Sequence, residues 1–202
     1  MKFLHLTETD HYFHQCMDLY RTEFDYEIRE PVEVFDHSFD IKKRDEERYH
    51  FIAAYLDDEL CGFIAFHLEV TYRIGYIVYL VVKPQVRGKQ VARQLMDTAE
   101  DVMVKICENN GTSLEHIMLE CEKDEDGNSP LDTFYKKFGF AKSDINYYQP
   151  GLHDDAPVPM NLYLKTSDQQ TSKEAIQHIY RVKYTQCNKI DEAIIEQLIH
   201  QM

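Results

Sequence analysis

The chain has 202 residues, enough for one large domain or for a domain of ordinary size with an extension, and 44% of them are apolar, as in globular proteins. Its formal net charge of −14 would repel the phosphate backbone of DNA or RNA, so nucleic acid is not an expected partner. The sequence contains neither a leader pattern nor an apolar run of about 18 residues, so no membrane partner is expected and we predict a cytoplasmic protein.

The first part of the chain predicts strands with two helices between them. A strand over residues 3–6 precedes a helix that Thr7 or Thr9 could cap, and Pro31 suits the first turn of a second helix. Three apolar runs then predict strands, the first two of them joined by a hairpin: residues 51–56, 61–70 and 76–82.

After the third strand of this group, the sequence alternates helices and strands. Glycine, proline and capping residues mark the boundaries. The predicted segments are a helix from residue 91 to a stop at residues 109–111, a strand over residues 117–121, a helix capped by Asn128 or Ser129, a strand that begins at Phe140, a connection over residues 147–159 and a strand over residues 160–165.

The end of the chain is predicted as a helical extension. A polar stretch over residues 166–172 marks a junction, which divides the chain into a domain of residues 1–165 and an extension of residues 166–202. Apolar residues at helical spacing in the extension predict two amphipathic helices that pack on the domain or on a second subunit. A homodimer through these helices is therefore one expectation.

Cysteine usage and histidine spacing argue against a metal site. The five cysteines are an odd number without C-x-x-C spacing, which favours buried packing over disulfides or a zinc ribbon. His153-Asp154-Asp155 are consecutive and have no partner motif, so we interpret them as a solvated loop. No metal is predicted.

The strand over residues 76–82 runs into a basic turn that opens a helix. Residues 70–96 contain no Asp or Glu, although 36 of the 202 residues are acidic. Because a helix N-terminus presents unpaired backbone N–H groups and a partial positive charge, the turn predicts a site for a phosphorylated ligand. The alternative is an ordinary strand-to-helix connection with solvated lysines. The cations in this window are Arg73, Lys83, Arg87, Lys89 and Arg93.

The basic turn resembles a known cofactor motif. Arg87-Gly88-Lys89-Gln90-Val91-Ala92 is similar to motif A of the GNAT superfamily of acyl-CoA-dependent N-acyltransferases, which reads Arg/Gln-x-x-Gly-x-Gly/Ala. The difference is Gln90, in the place of the middle glycine, whose missing side chain lets the pyrophosphate approach the backbone. The resemblance implies acetyl-CoA as cosubstrate, and it implies these cofactor-binding residues: Leu80, Val81, Val82, Arg87, Gly88, Lys89, Gln90, Val91, Ala92 and Arg93.

A second signature follows in the order expected for this family. Leu119-Glu120-Cys121, Asn128, Tyr135 and Gly139-Phe140 resemble motif B of the ribosomal-protein alanine acetyltransferase branch, with a longer interval before Asn128. The resemblance implies that Tyr135 lies beside the CoA sulfur as general acid. It also implies that Asn128 contacts the cofactor and that Glu120 is the candidate base.

The implied chemistry explains these residue types. An alkylammonium has a pKa of about 10.4 and becomes a nucleophile only after a carboxylate such as Glu120 has taken its proton. Backbone N–H groups of a splayed strand, at Val82, can stabilise a tetrahedral oxyanion, and a tyrosine hydroxyl can protonate the departing thiolate. Glu122 or water is the alternative base, and core packing is the alternative role for Tyr135. For Cys121 we favour buried packing over nucleophilic catalysis.

The order of elements is that of the GNAT fold, and the resemblance covers residues 3–165. It implies a mixed α/β fold with a central, largely antiparallel sheet flanked by helices, followed by the helical extension. The expected activity is transfer of an acetyl group from acetyl-CoA directly to a primary amine. The alternative is a non-catalytic, CoA-binding regulatory module, which Gln90 and the longer loop before Asn128 favour.

The amine acceptor is expected near residues 21–40 and near the connection over residues 147–159. The first stretch holds seven acids among aromatic residues, which would suit a cationic small molecule or a peptide amine through ion pairing and cation–π contacts. A solvated acidic helix face is the alternative interpretation. The acids are Glu23, Asp25, Glu27, Glu30, Glu33, Asp36 and Asp40.

Overall fold

The computed structural model describes residues 1–24, 26, 29–45, 47–152, 156–166 and 173–202. The strands in this part of the chain are β1 (Lys2–Leu6), β2 (Tyr49–Leu56), β3 (Glu59–Glu69), β4 (Ile74–Val82), β5 (His116–Cys121), β6 (Ala141–Lys142), β7 (Tyr147–Gln149) and β8 (Val158–Thr166). The helices are α1 (His11–Glu23), α2 (Glu33–Arg44), α3 (Val91–Asn109), α4 (Asp132–Lys136), α5 (Lys173–Val182) and α6 (Glu192–Ile199), with a 3-10 turn (Pro84–Val86) and a π-helical turn (Lys183–Cys187). None of these described helices is both long and apolar enough to cross a membrane.

The strands form one mixed sheet. Its order is β1-β2-β3-β4-β5-β8-β6, and β7 pairs with β8 beside this path. The described neighbours are antiparallel except for the parallel pair of β4 and β5. A parallel pair needs a crossover connection, and α3 provides it. The predicted mixed α/β fold, with a largely antiparallel central sheet flanked by helices, is confirmed.

Helices cover both faces of the sheet. On the first face, α3 packs Leu95, Ala99 and Met103 against the strands. On the second face lie α1 and α2, with aromatic side chains such as Phe13 and Phe35. Because β2 and β3 are buried on both sides, their sequences are continuous apolar runs rather than alternating patterns.

The C-terminal helices cover the rest of the second face. Ile176 of α5 and Ile195 of α6 pack with Tyr76 and Met118 of the sheet in one apolar cluster. Most of the apolar stripe residues that suggested a dimer are therefore buried within the chain, whereas Ile194 of α6 is exposed. Dimerisation remains a prediction, and so does the division of the chain at residue 165.

The sheet opens between β4 and β5. Pairing between these strands ends at Ile77 and Leu119. A bulge at Val78 then shifts β4 against β3, and bulges bend a strand and increase its twist. β4 continues to Val82 while β5 continues beside β8, and a cavity of about 30 Å³ lies between the two strand ends. This opening positions the candidate site.

Three local features differ from the sequence-based predictions. Asp10 caps α1 by accepting a hydrogen bond from the Phe13 N–H at 3.0 Å, so neither Thr7 nor Thr9 is the cap. α4 begins at Asp132, later than predicted, because the residues before it form a turn. β7 lies within the stretch interpreted as a connection, and its three residues are too few to show an alternating pattern.

Candidate active site

A cavity of about 690 Å³ lies between the end of β4, the start of α3 and helix α4. Two residues predicted to bind the cofactor, Lys89 and Asn128, are exposed and lie outside its wall. The other predicted residues line it: Leu80, Val81, Val82, Arg87, Gly88, Gln90, Val91, Ala92, Arg93 and Tyr135. The wall is completed by Glu23, Phe24, Val86, Leu131, Phe134, Lys137 and Phe138.

The turn before α3 presents backbone N–H groups to this cavity. Gly88 and Gln90 have left-handed backbone conformations, with φ of 81° and 64°, and these turn the chain sharply from β4 into α3. The Gln94 N–H donates to the Gln90 carbonyl at 3.0 Å, so the N–H groups of residues 91–93 precede the first hydrogen bond of the helix. The first turn of α3 contains no acid. This helix N-terminus is therefore suited to an anion.

Gln90 has a side chain in a conformation that favours glycine. In the left-handed region the Cβ of an L-residue approaches a carbonyl oxygen, which costs roughly 1 kcal/mol. The side chain is exposed and belongs to the cavity wall. A ligand that approaches the turn must share this space with the Gln90 amide.

Arg87 connects the turn to two other elements. Its Nε donates to the Val82 carbonyl at 3.2 Å, and its guanidinium pairs with the Glu23 carboxylate at the end of α1. Arg93 and Lys137 also line the cavity. These cations favour an anionic ligand, and such a ligand would compete with Glu23 for Arg87.

The walls of the cavity fit a ligand of the CoA type. The N–H groups and cations at the turn suit a pyrophosphate. Leu80, Phe134 and Phe138 form an apolar wall that suits a narrow, largely apolar arm. The cavity thus combines the two kinds of surface that such a ligand needs.

Tyr135 on α4 lies between the large cavity and the small cavity of the sheet opening. It lines both of them and is 9% exposed. Burial raises the pKa of its phenol, with Cys121 and Tyr163 as lesser causes. The hydroxyl therefore keeps its proton at neutral pH and can donate it.

The end of β4 directs a backbone donor away from β3. The Lys83 N–H donates to the Cys61 carbonyl of β3 at 2.9 Å, so the alternation along the strand directs the Val82 N–H away from β3. The Val82 carbonyl lies on that same side and accepts the hydrogen bond from Arg87. Because Val82 and Tyr135 line one cavity, a backbone donor and a phenol face a common space.

Glu120 lies near the end of β5 and lines the small cavity. Its carboxylate accepts a hydrogen bond from the Tyr184 hydroxyl at 3.1 Å, and the Tyr147 hydroxyl helps to lower the pKa of this carboxyl group. The Tyr76 hydroxyl lies 3.3 Å from each of these two hydroxyls, and we name Tyr76, Tyr147 and Tyr184 the phenol cluster. Burial raises the pKa of Glu120, whereas the hydrogen bonds and the charge of Lys183 favour its ionised form.

The sequence neighbours of Glu120 are less suited to catalysis. β5 ends at Cys121, so Glu122 lies beyond the strand and is exposed, whereas Glu120 is partly buried. The Cys121 thiol lies 3.1 Å from the Ser129 hydroxyl. Burial raises the pKa of this thiol, which disfavours the reactive thiolate.

A buried ion pair that no sequence motif predicted lies next to the phenol cluster. Lys183 in the π-helical turn pairs with Glu30, and each side chain is 3% exposed. Glu30 also accepts hydrogen bonds from the Tyr79 hydroxyl at 2.8 Å and from the Asn188 side-chain amide at 2.6 Å. Separating such a pair would leave a buried charge without compensation, so it ties the C-terminal segment to the rest of the site.

The sequence carries one signal for this pair. Ile176, Tyr180, Lys183 and Tyr184 follow one another at helical spacing, so the lysine lies on an apolar stripe. A lysine in such a position indicates a buried acidic partner, because lysine is almost never fully buried alone. The partner itself is 153 residues away and has no local signature.

Several acids near the expected acceptor site have partners within the chain. The pairs are Glu23 with Arg87, Glu30 with Lys183, and Asp40 with Lys43. Glu33 and Asp36 lie in the first turn of α2, where the helix dipole favours them. Outside the described residues lie Asp25, Glu27, His153, Asp154, Asp155 and residues 167–172.

The sequence and the fold are similar to those of known acetyltransferases. A model described as the acetyltransferase (GNAT) family matches residues 13–140. No curated protein matches the chain. A GNAT-family structure from Bacteroides thetaiotaomicron is 21% identical, with a TM-score of 0.66 over 90% of this chain and 97% of that one. An aminoglycoside 6'-N-acetyltransferase complexed with coenzyme A is 19% identical, with a TM-score of 0.58 over 85% of this chain and 100% of that one. A spermidine N-acetyltransferase from Vibrio cholerae is 16% identical, with a TM-score of 0.57 over 82% of this chain and 95% of that one.

Removing the partly buried Glu120 carboxylate should change how the stability of the folded protein depends on pH. A carboxyl group whose pKa rises on folding contributes stability that is present below its unfolded pKa and is lost as pH rises through the folded value. Because glutamine has no charge to bury, we expect Glu120→Gln to unfold at a higher temperature than the unsubstituted protein near pH 8. The difference should disappear near pH 4 in thermal denaturation followed by circular dichroism.

Glu122→Gln is the matched control for this measurement. It removes an exposed carboxylate two residues away, so its effect on the unfolding temperature should be the same at both pH values. If the Glu120→Gln protein and the unsubstituted protein had the same unfolding temperature at both pH values, the burial of a charged Glu120 carboxylate would be contradicted.

Proposed function

Since the chain belongs to the GNAT acetyltransferase family, we propose that it moves an acetyl group from acetyl-CoA directly to a primary amine. The observation that carries the proposal is the position of Tyr135, which lines the large cavity at the start of α3 and also the small cavity that Glu120 lines. A proton donor and a proton acceptor thus flank the opening between β4 and β5.

The turn before α3 is the proposed binding site for acetyl-CoA, which supplies the acetyl thioester when bound. The N–H groups at the start of α3, with Arg87 and Arg93, hold the pyrophosphate. Leu80 lines the path of the apolar arm. Lys89 and Asn128 lie outside the wall, so their contacts are with parts of the ligand that extend beyond the cavity.

Glu120 is the proposed base. An alkylammonium with a pKa of about 10.4 must lose a proton before its nitrogen can attack a carbonyl carbon. The Glu120 carboxylate takes that proton, directly or through a water molecule. Its raised pKa makes it a stronger base than an exposed glutamate, which reduces the cost of this transfer.

Tyr135 and the end of β4 serve the remaining charges of the reaction. Tyr135 holds a proton at Oη for the departing sulfur, and burial keeps this proton in place at neutral pH. The Val82 N–H is directed away from β3, Val82 lines the same cavity, and we assign to this N–H the stabilisation of the oxygen that gains negative charge. The proposed acid, base and backbone donor are therefore Tyr135, Glu120 and Val82, which line the cavities at the opening between β4 and β5.

For the acceptor, we propose a cationic small molecule or a peptide amine. The net charge of −14 supports attraction of a cation, and Glu33 and Asp36 are exposed on α2 near the expected acceptor site. An amine screen tests this part of the proposal. Turnover of neutral or acidic amines alone would contradict it.

A non-catalytic, CoA-binding regulatory module is the second candidate. Gln90 in the place of a glycine favours it, and so does the dense packing of the phenol cluster, whose members are at most 1% exposed. Calorimetric titration with acetyl-CoA and desulfo-CoA, followed by the amine screen, separates the candidates. Saturable binding with amine-dependent release of thiol supports the enzyme, binding without turnover supports the module, and absence of binding contradicts both.

Gln90→Gly should strengthen acetyl-CoA binding. The substitution removes a side chain from the cavity wall and lets the ligand approach the backbone of the turn. We expect Kd to fall about fivefold, which corresponds to about 1 kcal/mol. Stability should change little, because relief of the left-handed conformation offsets the entropy that glycine loses on folding.

Asp58→Gly provides the matched control for this titration. Asp58 also has a left-handed backbone, with φ of 63°, but it lies in the turn between β2 and β3 and outside the cavity wall. The Asp58→Gly substitution should leave the Kd for acetyl-CoA unchanged. Equal affinities in all three proteins would show that Gln90 does not restrict the site.

Tyr135→Phe should separate catalysis from binding. Loss of a general acid typically reduces the rate by about 100-fold or more, so kcat should fall on this scale while calorimetry gives an unchanged Kd for acetyl-CoA. Tyr55→Phe is the control, because its hydroxyl bonds to Gln15 on the helix α1 side of the molecule. A Tyr135→Phe enzyme with full activity would remove this residue from the mechanism.

Glu120→Gln should abolish the proton-accepting step. We expect kcat/KM to fall by about 100-fold at neutral pH, and we expect part of the activity to return at high pH, where the free amine needs no base. Glu122→Gln changes the same functional group in an exposed position and should retain full activity. The opposite ranking of the two variants would assign the base to Glu122.

A further inference from the structure

The C-terminal segment places a hydroxyl against the candidate base. We propose that Tyr184 is a positioning residue, which orients the Glu120 carboxylate at the opening of the sheet by donating a hydrogen bond to it. This inference rests on the proposed function, in which Glu120 is the base. It gives residues 173–202 a part in a site whose sequence motifs end at Phe140.

The geometry of the contact supports this role. The Tyr184 hydroxyl lies 3.1 Å and 3.4 Å from the two carboxylate oxygens of Glu120, so one donor reaches both of them. Its ring is completely buried. The Tyr76 hydroxyl lies 3.3 Å from the Tyr184 hydroxyl, whose oxygen can accept while its proton is given to Glu120. The phenol cluster therefore limits the directions in which the carboxylate can turn.

The neighbouring ion pair holds Tyr184 in place. Lys183 Nζ pairs with Glu30 and also lies 4.2 Å from the centre of the Tyr184 ring, a cation–π contact. The Glu30 carboxylate also accepts hydrogen bonds from the Tyr79 hydroxyl of β4 and from the Asn188 amide of the C-terminal segment. Tyr184 is thus fixed by buried contacts to the strand that carries the proposed backbone donor.

The π-helical turn explains how adjacent residues both face the sheet. In an α-helix, successive side chains point about 100° apart, so two adjacent long side chains diverge. The wider turn over Lys183–Cys187 buries both Lys183 and Tyr184, and π-helical turns are frequent at functional sites. The His37 ring nitrogen Nδ1 lies 2.7 Å from the Cys187 carbonyl, which ties the end of the turn to α2.

The charged and titratable groups around Glu120 define the expected sign of a substitution. Burial disfavours the ionised carboxylate, and the Tyr184 hydrogen bond is one of the contacts that favour it. Removing this hydroxyl while the burial remains should therefore raise the pKa of Glu120. The groups that face it are Tyr76 of β4, Tyr147 of β7, Tyr180 of α5, Tyr184 and Lys183 of the π-helical turn, and Glu30.

The experiment compares Tyr184→Phe with the unsubstituted protein by two readouts. Carbon-13 NMR of glutamate labelled at the side-chain carboxyl, assigned with Glu120→Gln, follows the titration of Glu120 directly. We expect its midpoint to move to higher pH, and the acid limb of kcat/KM to move with it. We also expect kcat to fall about tenfold, the scale of one hydrogen bond to a charged group, at unchanged affinity for acetyl-CoA.

Two further variants keep the test decisive. Tyr55→Phe also removes a phenol hydroxyl, but that hydroxyl donates to the Gln15 side chain of α1 at 2.9 Å, so the substitution should leave both readouts unchanged. 3-Fluorotyrosine at position 184 keeps the shape and strengthens the donor, so the Glu120 midpoint should move to lower pH. An unchanged midpoint in both position-184 variants overturns the proposal.

The two readouts separate this inference from the proposed function, because the NMR titration does not require turnover. A midpoint that moves in a protein without amine-dependent activity supports the contact and overturns the proposed function. The unsubstituted protein could instead turn over amines while Tyr184→Phe leaves both the Glu120 titration midpoint and the acid limb of kcat/KM unchanged. That result would overturn the positioning role alone.

Discussion

The separation of β4 from β5 is the constraint on which the candidate site depends. Had the parallel ladder continued beyond Ile77 and Leu119, it would have used the backbone groups of Val82 and closed the space beside Glu120. The bulge at Val78 shifts β4 at this point. This separation leaves a space between the two strand ends, and Tyr135 lines both this small cavity and the large cavity at the start of α3.

The two sides of this opening differ in their electrostatics. On the side of α3, a helix N-terminus and exposed cations favour an anion, although the chain as a whole is acidic. On the side of the C-terminal segment, Glu30 and Glu120 are held by phenols and by one buried lysine. Arg87 and Glu23 link the first side to α1, so an anion at the turn also changes the contacts of that helix.

Local features could be predicted from the sequence and contacts between distant residues could not. Apolar runs and glycines place the main strands and α3, and the stretch without acids marks the turn at Arg87. The seven-residue interval ending at Tyr135 marks a residue that does line the cavity. The partners of Glu23 and Glu30 were missed, since each pair joins segments far apart in the chain and depends on their packing. Short elements such as β7 give too few residues for a periodic pattern.

The buried pair of Glu30 and Lys183 also bears on whether the C-terminal segment is detachable. Shortening the chain after residue 165 would remove the counter-ion of Glu30, Lys183, together with the Asn188 amide that donates to the same carboxylate. It would also uncover Tyr76 and Met118 of the sheet. The C-terminal segment therefore contributes buried polar contacts as well as apolar cover to the residues that precede it.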